Sequence, residues 1–324
     1  MVFPCERGAR IVRLSQYRKL PVQQIAMRLA ELFKTPTSPG LGTKPSDREI
    51  DMFGLTHPGK VRKENQDHFL LATVHPQVVI HGTSLPFPDE LPLRGQRLAS
   101  LLLVADGVGG SSAGADASRL ATETITKYVS SSLRCYHTVG TAKDTEFLNA
   151  LRSAALEAHD AVRADGATRL GGQTTATTLT LGIVVWPWLY VLQVGDSRCY
   201  CYFDGELRQI SRDQTVAQDL VDRGLLPAER AASTKLSNVL SSAIGASEAR
   251  PEVTRVDVRE RGTVILVCTD GLTKHVSDAE IAEAFRTMQS SEQVCNALLD
   301  RALERGGSDN ITVVVGRARR SGQK

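Results

Sequence analysis

The chain has 6 cysteines but no C-x-x-C pair. That argues against a zinc cage and gives no spacing for a disulfide frame. His57, His75 and His81 show no ligand spacing either, and read as surface or turn residues. Charge imbalance is small. With 39 basic and 36 acidic residues the net charge is +3, too little to argue for a nucleic-acid partner. Long apolar runs are missing as well. The N-terminus has no stretch of signal-peptide length. The most apolar region, 179–194, is broken by Trp186-Pro187-Trp188, so it reads as two strands and a turn rather than a membrane span. A cytoplasmic, reducing location is therefore expected. What is present, 41% hydrophobic and 23% charged residues over a length of 324, suits one large globular domain with an appendage, or two small domains.

Taken in order, 1–33 reads as a basic extension. Arg7, Arg10, Arg13, Arg18 and Lys19 stand against Glu6, and Pro21 opens a short amphipathic helix with Val22, Ile25, Ala26, Leu29, Leu32 and Phe33 on one face. Residues 34–48 hold Pro36, Pro39, Gly40, Gly42 and Pro45 and read as a linker. The globular pattern occupies 49–318, and 319–324 is a basic tail. Within the globular part, 75–99 carries Pro76, Pro86, Pro88 and Pro92 and reads as a loop insertion. Helices are expected at 115–133, with Leu120, Ile125, Tyr128 and Val129 as its buried stripe, and at 145–164, 215–223, 278–288 and 292–304. Strands come in runs, at 174–185, 189–194, 199–203, 207–210, 252–258 and 263–269, with a last one at 310–316. Runs of strands with paired helices predict antiparallel sheets covered by helices, an α+β layered sandwich, rather than an alternating βαβ chain. Residues 225–250 read as irregular.

The chemistry gathers at strand ends. Residues 101–110, LLLVADGVGG, are an apolar strand ending in Asp106 and followed by glycines. A carboxylate at the end of a buried strand is partly desolvated, and that is costly unless a cation compensates it. The pattern recurs in TVILVCTDG (263–271) with Asp270 and in VLQVGDS (191–197) with Asp196, and is mirrored in GGSDNITVVV (306–315), where Asp309 precedes the strand. In an antiparallel sheet one strand's end lies beside the next one's start, so these carboxylates can meet at one rim. Oxygen ligands of that charge suit Mg²⁺ or Mn²⁺. Arg62, five residues before Asp67 in a charged turn, adds a planar clamp for a phosphoryl dianion. A dianion clamp beside carboxylates and divalent ions suits hydrolysis of a phosphate monoester by an activated water.

At these residues the chain resembles the metal-dependent serine/threonine protein phosphatases, the type 2C or PPM family, in the short bacterial style. The matching pieces are GKVRKENQD (59–67), ADGVGG (105–110), QTTATT (173–178), VGDSR (194–198), SRDQT (211–215), NVLSSAIG (238–245), CTDGL (268–272) and GGSDNITVVV (306–315). The resemblance implies a four-layer sandwich, two antiparallel β-sheets packed face to face and flanked by α-helices, with 49–318 as the catalytic domain. It implies that Asp106 bridges two metal ions and the Gly107 carbonyl binds one. Asp270 and Asp309 complete the other site, Asp67 acts through water, and Arg62 takes the substrate phosphate. Asn310 orients the loop beside Asp309, and 225–250 is the flap over the site; Asp196, at its own strand end, reads either as support for the cluster from behind or as part of a turn. The implied substrates are phosphoserine and phosphothreonine proteins, made by a serine/threonine kinase and handled by a monomer.

The chain also departs from the family pattern. Gln66 stands where many members have Glu, and Val108 where some carry a His proposed to protonate the leaving group, so that proton must come from water or elsewhere. The family's third-ion carboxylate aligns with Thr168; Asp165 is the nearby acid, and the third site stays open.

Other motifs carry less. Cys295 to Arg301 fits C-x₅-R, but its helix-forming interior offers no N–H groups to a phosphate. Gly107 to Gly110 resembles a dinucleotide loop, yet Asp106 would repel a pyrophosphate and Ser112 replaces the third glycine. Gly195-Asp196-Ser197 reads as a strand-end turn rather than a serine esterase. The alternatives of a regulatory binding module with the same fold, and of a small-molecule phosphatase, stay open.

Overall fold

The computed structural model describes residues 43–77, 80, 94–109, 112–131, 144–169, 175–231 and 233–320. The helix expected within 1–33, the first part of the 34–48 linker, most of the 75–99 insertion and 321–324 lie outside the described residues.

In chain order the elements are β1 (Ile50–His57), β2 (Asp67–Val74), β3 (Ala99–Val108), α1 (Ser112–Ser131), α2 (Asp144–Arg169), β4 (Ala176–Thr177), β5 (Leu179–Val185) and β6 (Trp188–Val194). They continue with β7 (Arg198–Phe203), β8 (Glu206–Gln209), α3 (Val216–Asp222), the single turn α4 (Ala228–Ala231), β9 (Glu252–Asp257) and β10 (Val264–Cys268). The last are the single turn α5 (Asp270–Thr273), α6 (Asp278–Arg286), α7 (Ser291–Glu304) and β11 (Ile311–Ala318). One sheet has the order β1-β11-β10-β7-β8 and the other β2-β3-β5-β6-β9, with the short β4 beside β3. Every pairing among the described strands is antiparallel.

Period-two alternation explains how the layers form. In β3, Leu101, Leu103 and Ala105 face α1 and α2, while Leu102 and Val104 face the other sheet. In β10, Val264, Leu266 and Cys268 face α6 and α7, while Ile265 and Val267 point between the sheets. A strand apolar on both faces is buried on both. Each such aliphatic side chain contributes about 1.5–3 kcal/mol by leaving water. The result is helix, sheet, sheet, helix, the α+β four-layer sandwich that was expected. α6 starts at a capping box in which Glu280 reaches back to the Ser277 N–H at 3.0 Å.

Where structure and expectation differ, the reason is local. The expected single strand over 174–185 is broken at Thr178, between β4 and β5. In α1 the buried stripe is mainly small, with Ala113, Ala117 and Ala121 beside Ile125 and Val129, and Leu120 and Tyr128 only partly covered. Alanines let the helix lie close to β3. The stretch 225–250 contains α4 and a 3-10 turn at Lys235–Asn238, joined to the body through backbone bridges Thr215–Leu240 and Thr177–Ile244. Gln77 bridges Arg94 across the base of the 75–99 insertion. Cys295 lies inside α7, and burial pushes its thiol up to about 12. The C-x₅-R spacing is thus a helical coincidence with no thiolate nucleophile.

Candidate active site

Asp67 opens β2 and pairs directly across from Asp106 at the end of β3. Two like charges facing each other on neighbouring strands repel, so the register alone brings together a costly pair. The Asp106 backbone is fixed on both sides. Its N–H donates to Thr178 Oγ1 at 3.0 Å, and its carbonyl accepts from the Thr178 N–H and the Thr177 hydroxyl, each at 2.8 Å. The β4–β5 break provides these bonds. Gly107 follows, with its N–H on the Gln66 carbonyl at 3.2 Å. A Cβ here would lie 2.3 Å from the Gly114 carbonyl oxygen, so only glycine fits.

The second sheet supplies the other acids. Asp270 follows β10 as the first residue of α5, and Asp309 precedes β11, β10's neighbour. Close contact joins the two loops: a Cβ on Gly271 would fall 1.9 Å from the Asn310 carbonyl oxygen. Asn310 holds the loop that carries Arg62. Its amide donates to the Pro58 and Glu64 carbonyls, each at 2.9 Å, and its Oδ1 accepts from the Gln66 N–H at 2.9 Å. Arg62 meets Asp309 through two donors, Nε at 2.8 Å from Oδ1 and a terminal nitrogen at 3.0 Å from Oδ2. Lys274 Nζ lies 2.6 Å from Asp270 Oδ2 and 2.8 Å from Asp309 Oδ2.

Asp67 is 3% exposed. Its Oδ2 accepts from the Thr269 hydroxyl at 2.9 Å and the Thr312 hydroxyl at 2.7 Å. Their direction is set by what lies behind them. Thr269 Oγ1 already accepts from the Thr312 N–H at 3.0 Å, and the Asn65 amide donates to Thr56 Oγ1, which lies 2.8 Å from Thr312 Oγ1. Both threonines therefore point their protons at Asp67. Its Oδ1 and Asp270 Oδ1 are buried without a hydrogen-bond partner.

The carboxyls respond to this crowding. Burial, with Asp270 and Asp309 nearby, raises Asp67 to about 7 against the two threonine bonds. Burial and the neighbouring Asp67 and Asp270 raise Asp106 well above the carboxylate range. Burial also raises Asp270, and lifts Asp196 to about 7 with help from Asp270 and Asp213. For Asp309 the burial effect is overcome by Lys274 and Arg62, which hold it below its ordinary value. Acids whose ionisation is opposed by burial and by one another, with oxygens left unbonded, are a site short of positive charge. A hard divalent cation matches that need in charge and in donor type, so the residues present fit Mg²⁺ or Mn²⁺.

A cavity of about 300 Å³ opens over this group, lined among others by Arg62, Gln66, Asp106, Gly107, Asp196, Asp270, Lys274 and Asp309. Of the residues expected from the sequence, the structure brings together Arg62, Gln66, Asp67, Asp106, Gly107, Asp196, Asp270, Asp309 and Asn310. Asp165 lies on α2 and lines neither this cavity nor the adjoining one. Lys274, Thr269 and Thr312 were missed. Lys274 stands four residues after Asp270, one helical turn on, and that spacing was the available signal. Val108, at the cavity edge, is 43% exposed and offers no acid.

Two sheets face to face under helices, with aspartates and an arginine gathered at one rim, define a class: the four-layer sandwich of the bacterial metal-dependent phosphatases. Residues 82–306 match the family model described as Protein phosphatase 2C. The chain belongs to that family. It is 34% identical over 217 residues to the serine/threonine protein phosphatase PstP of Mycobacterium tuberculosis, an alignment covering 67% of this chain and 40% of PstP. It therefore spans well under half the length of that relative. The serine/threonine phosphatase stp of Listeria monocytogenes is 29% identical over 261 residues, covering 80% of this chain and 92% of its own. The crystal structure of M. tuberculosis PstP superposes with a TM-score of 0.65 at 29% identity, covering 84% of this chain and 99% of that one. The PstP catalytic domain in complex with 2 manganese ions gives a TM-score of 0.64 at 28% identity, with the same coverage.

Proposed function

We propose that the chain is a metal-dependent protein phosphatase that hydrolyses phosphoserine and phosphothreonine side chains. The reading is carried by one observation: Asp67, Asp106 and Asp270 are raised by burial and mutual repulsion beside Arg62, with buried oxygens left unbonded. Asp106 and the Gly107 carbonyl would hold one ion, and Asp106, Asp270 and Asp309 a second. When bound, the ions supply charge neutralisation on the phosphoryl oxygens and a lowered pKa for the attacking water. Asp67 would orient that water through Oδ1 while Thr269 and Thr312 fix Oδ2. Arg62, 51% exposed in its side chain and aligned by Asp309, would take two phosphoryl oxygens at once. Asn310 sets the height of the Arg62 loop, and Asp196 adds negative charge behind Asp270. With Val108 in place of a protic side chain, the leaving alkoxide draws its proton from solvent.

Kinase-made phosphoproteins are the proposed partners. A monomer working in the cytoplasm is the simplest form of this reading. The cavity is lined by residues of one chain, and among the described residues no helix is long and apolar enough to cross a membrane. The test is hydrolysis of a phosphothreonine peptide with Mn²⁺, Mg²⁺ or EDTA, comparing wild type with Asp270→Ala. Activity that needs metal and vanishes in the variant supports both reaction class and site. A folded, metal-binding wild type without turnover would point instead to a regulatory binding module.

A further inference from the structure

Lys274 stands inside the carboxylate cluster. Its ammonium contacts Asp270 Oδ2 and Asp309 Oδ2, two of the residues that the proposed function assigns to one ion. The fold puts it there. The Lys274 N–H donates to the Asp270 carbonyl at 2.8 Å, closing the single turn α5, so both side chains rise on one face. The Lys274 side chain is only 30% exposed, which keeps its charge in the pit rather than in bulk water. Among the described residues, no three His, Cys, Asp or Glu side chains yet converge as a ready ligand shell. The lysine fills the space where two of the carboxylates would meet.

We propose that Lys274 is a tethered counter-ion. It holds Asp270 and Asp309 together in the metal-free protein and must leave at least one of them before an ion can bind there, so metal affinity is set by competition with the chain's own ammonium. This rests on the metal-binding reading given above. The physical argument is that an ammonium and a divalent cation cannot share the same two carboxylate oxygens, because their repulsion in a poorly hydrated pit far exceeds its value in water. The stem also has somewhere to go. Lys274 lines the adjoining cavity of about 470 Å³, whose wall includes Asp196, while Asp213 there is already paired with Arg198 at 2.7 Å. The displaced charge can therefore stay near the Asp196 carboxyl instead of facing the ion.

The test is calorimetric titration of metal-stripped protein with Mn²⁺, using wild type, Lys274→Ala, Lys274→Arg and Asp270→Ala, with thermal unfolding in EDTA measured alongside. Lys274→Ala should bind Mn²⁺ about tenfold or more tighter, the lower end of the coupling found for close charge pairs. It should also melt below wild type in EDTA, since two acids lose their counter-charge. Lys274→Arg keeps the charge and should bind no tighter than wild type. If Lys274→Ala binds with wild-type affinity or weaker while Asp270→Ala loses binding, the proposal is wrong and the metal site stands. If neither wild type nor Lys274→Ala takes up Mn²⁺, both fall together.

Discussion

Asp67→Asn should stabilise the metal-free protein, and its effect should grow with pH. Asp67 is 3% exposed, and its carboxyl is raised from 3.8 to about 7. The unfolded chain releases this proton near its ordinary value, while the folded chain holds it until about pH 7. Between those limits the folded state binds more protons, so stability is lost as pH rises. Moving a single group from 3.8 to about 7 corresponds to a loss of about 4 kcal/mol above pH 7. Asparagine carries no charge, still offers an oxygen to Thr269 and Thr312, and puts an amide where Oδ1 now has no partner. The assay is urea unfolding in EDTA from pH 4 to pH 8 for both proteins. The gain over wild type should be near zero at pH 4 and reach roughly 2–4 kcal/mol by pH 8, less where Lys274 or trapped water shields the charge. A gain that does not change with pH, or a variant less stable than wild type at pH 8, would refute the reasoning. The same substitution should weaken Mn²⁺ binding in a calorimetric titration.

The other expectations follow from the same geometry. Asp270→Ala or Asp309→Ala should abolish turnover of a phosphothreonine peptide while circular dichroism stays unchanged, because each removes an acid from a crowded rim; activity within about threefold of wild type in either would contradict the ligand assignment. Arg62→Ala should raise KM about tenfold with a smaller fall in kcat, since a phosphate clamp acts in the ground and transition states alike, and steady-state kinetics separates the two. Gly271→Ala should destabilise by more than about 3 kcal/mol or prevent soluble expression, because its Cβ would meet the Asn310 carbonyl oxygen at 1.9 Å. Thermal unfolding checks this, and a wild-type melting temperature would show that the two loops are not held in contact.

The strand-end aspartates were legible in the sequence because an apolar run ending in Asp-Gly records both burial and charge in adjacent letters. Asp106 and Asp270 show this, and Asp309 shows its reverse. Thr269 and Thr312 were not legible. A threonine at a strand end reads as β-propensity, and its role as a donor to Asp67 exists only once β10 and β11 pair. The strand break at Thr178 was hidden for the same reason: Thr177 and Thr178 satisfy β-propensity while their hydroxyl and amide groups hold Asp106. Helix limits such as the extension of α2 to Arg169 depend on packing and fraying that local sequence records poorly. Asp165 was named only as the acid nearest the matching position, Thr168, and neither cavity at the site includes it.

The position of β11 has a consequence for when the protein becomes competent. It is the last strand among the described residues, yet it is inserted between β1 and β10 inside its sheet. Asp309 and Asn310 stand immediately before it, and Asn310 fixes the loop carrying Arg62 near the other end of the domain. During synthesis, residues 50–304 can emerge with their helices formed while the sheet still lacks the strand that joins β1 to β10. Arg62 then has no anchor and Asp270 has no neighbour across the gap. The centre therefore depends on contacts of long sequence separation, which are slow to form. In a chain holding everything up to α7 the site would be incomplete, and the arrival of one strand would close the sheet and the site together.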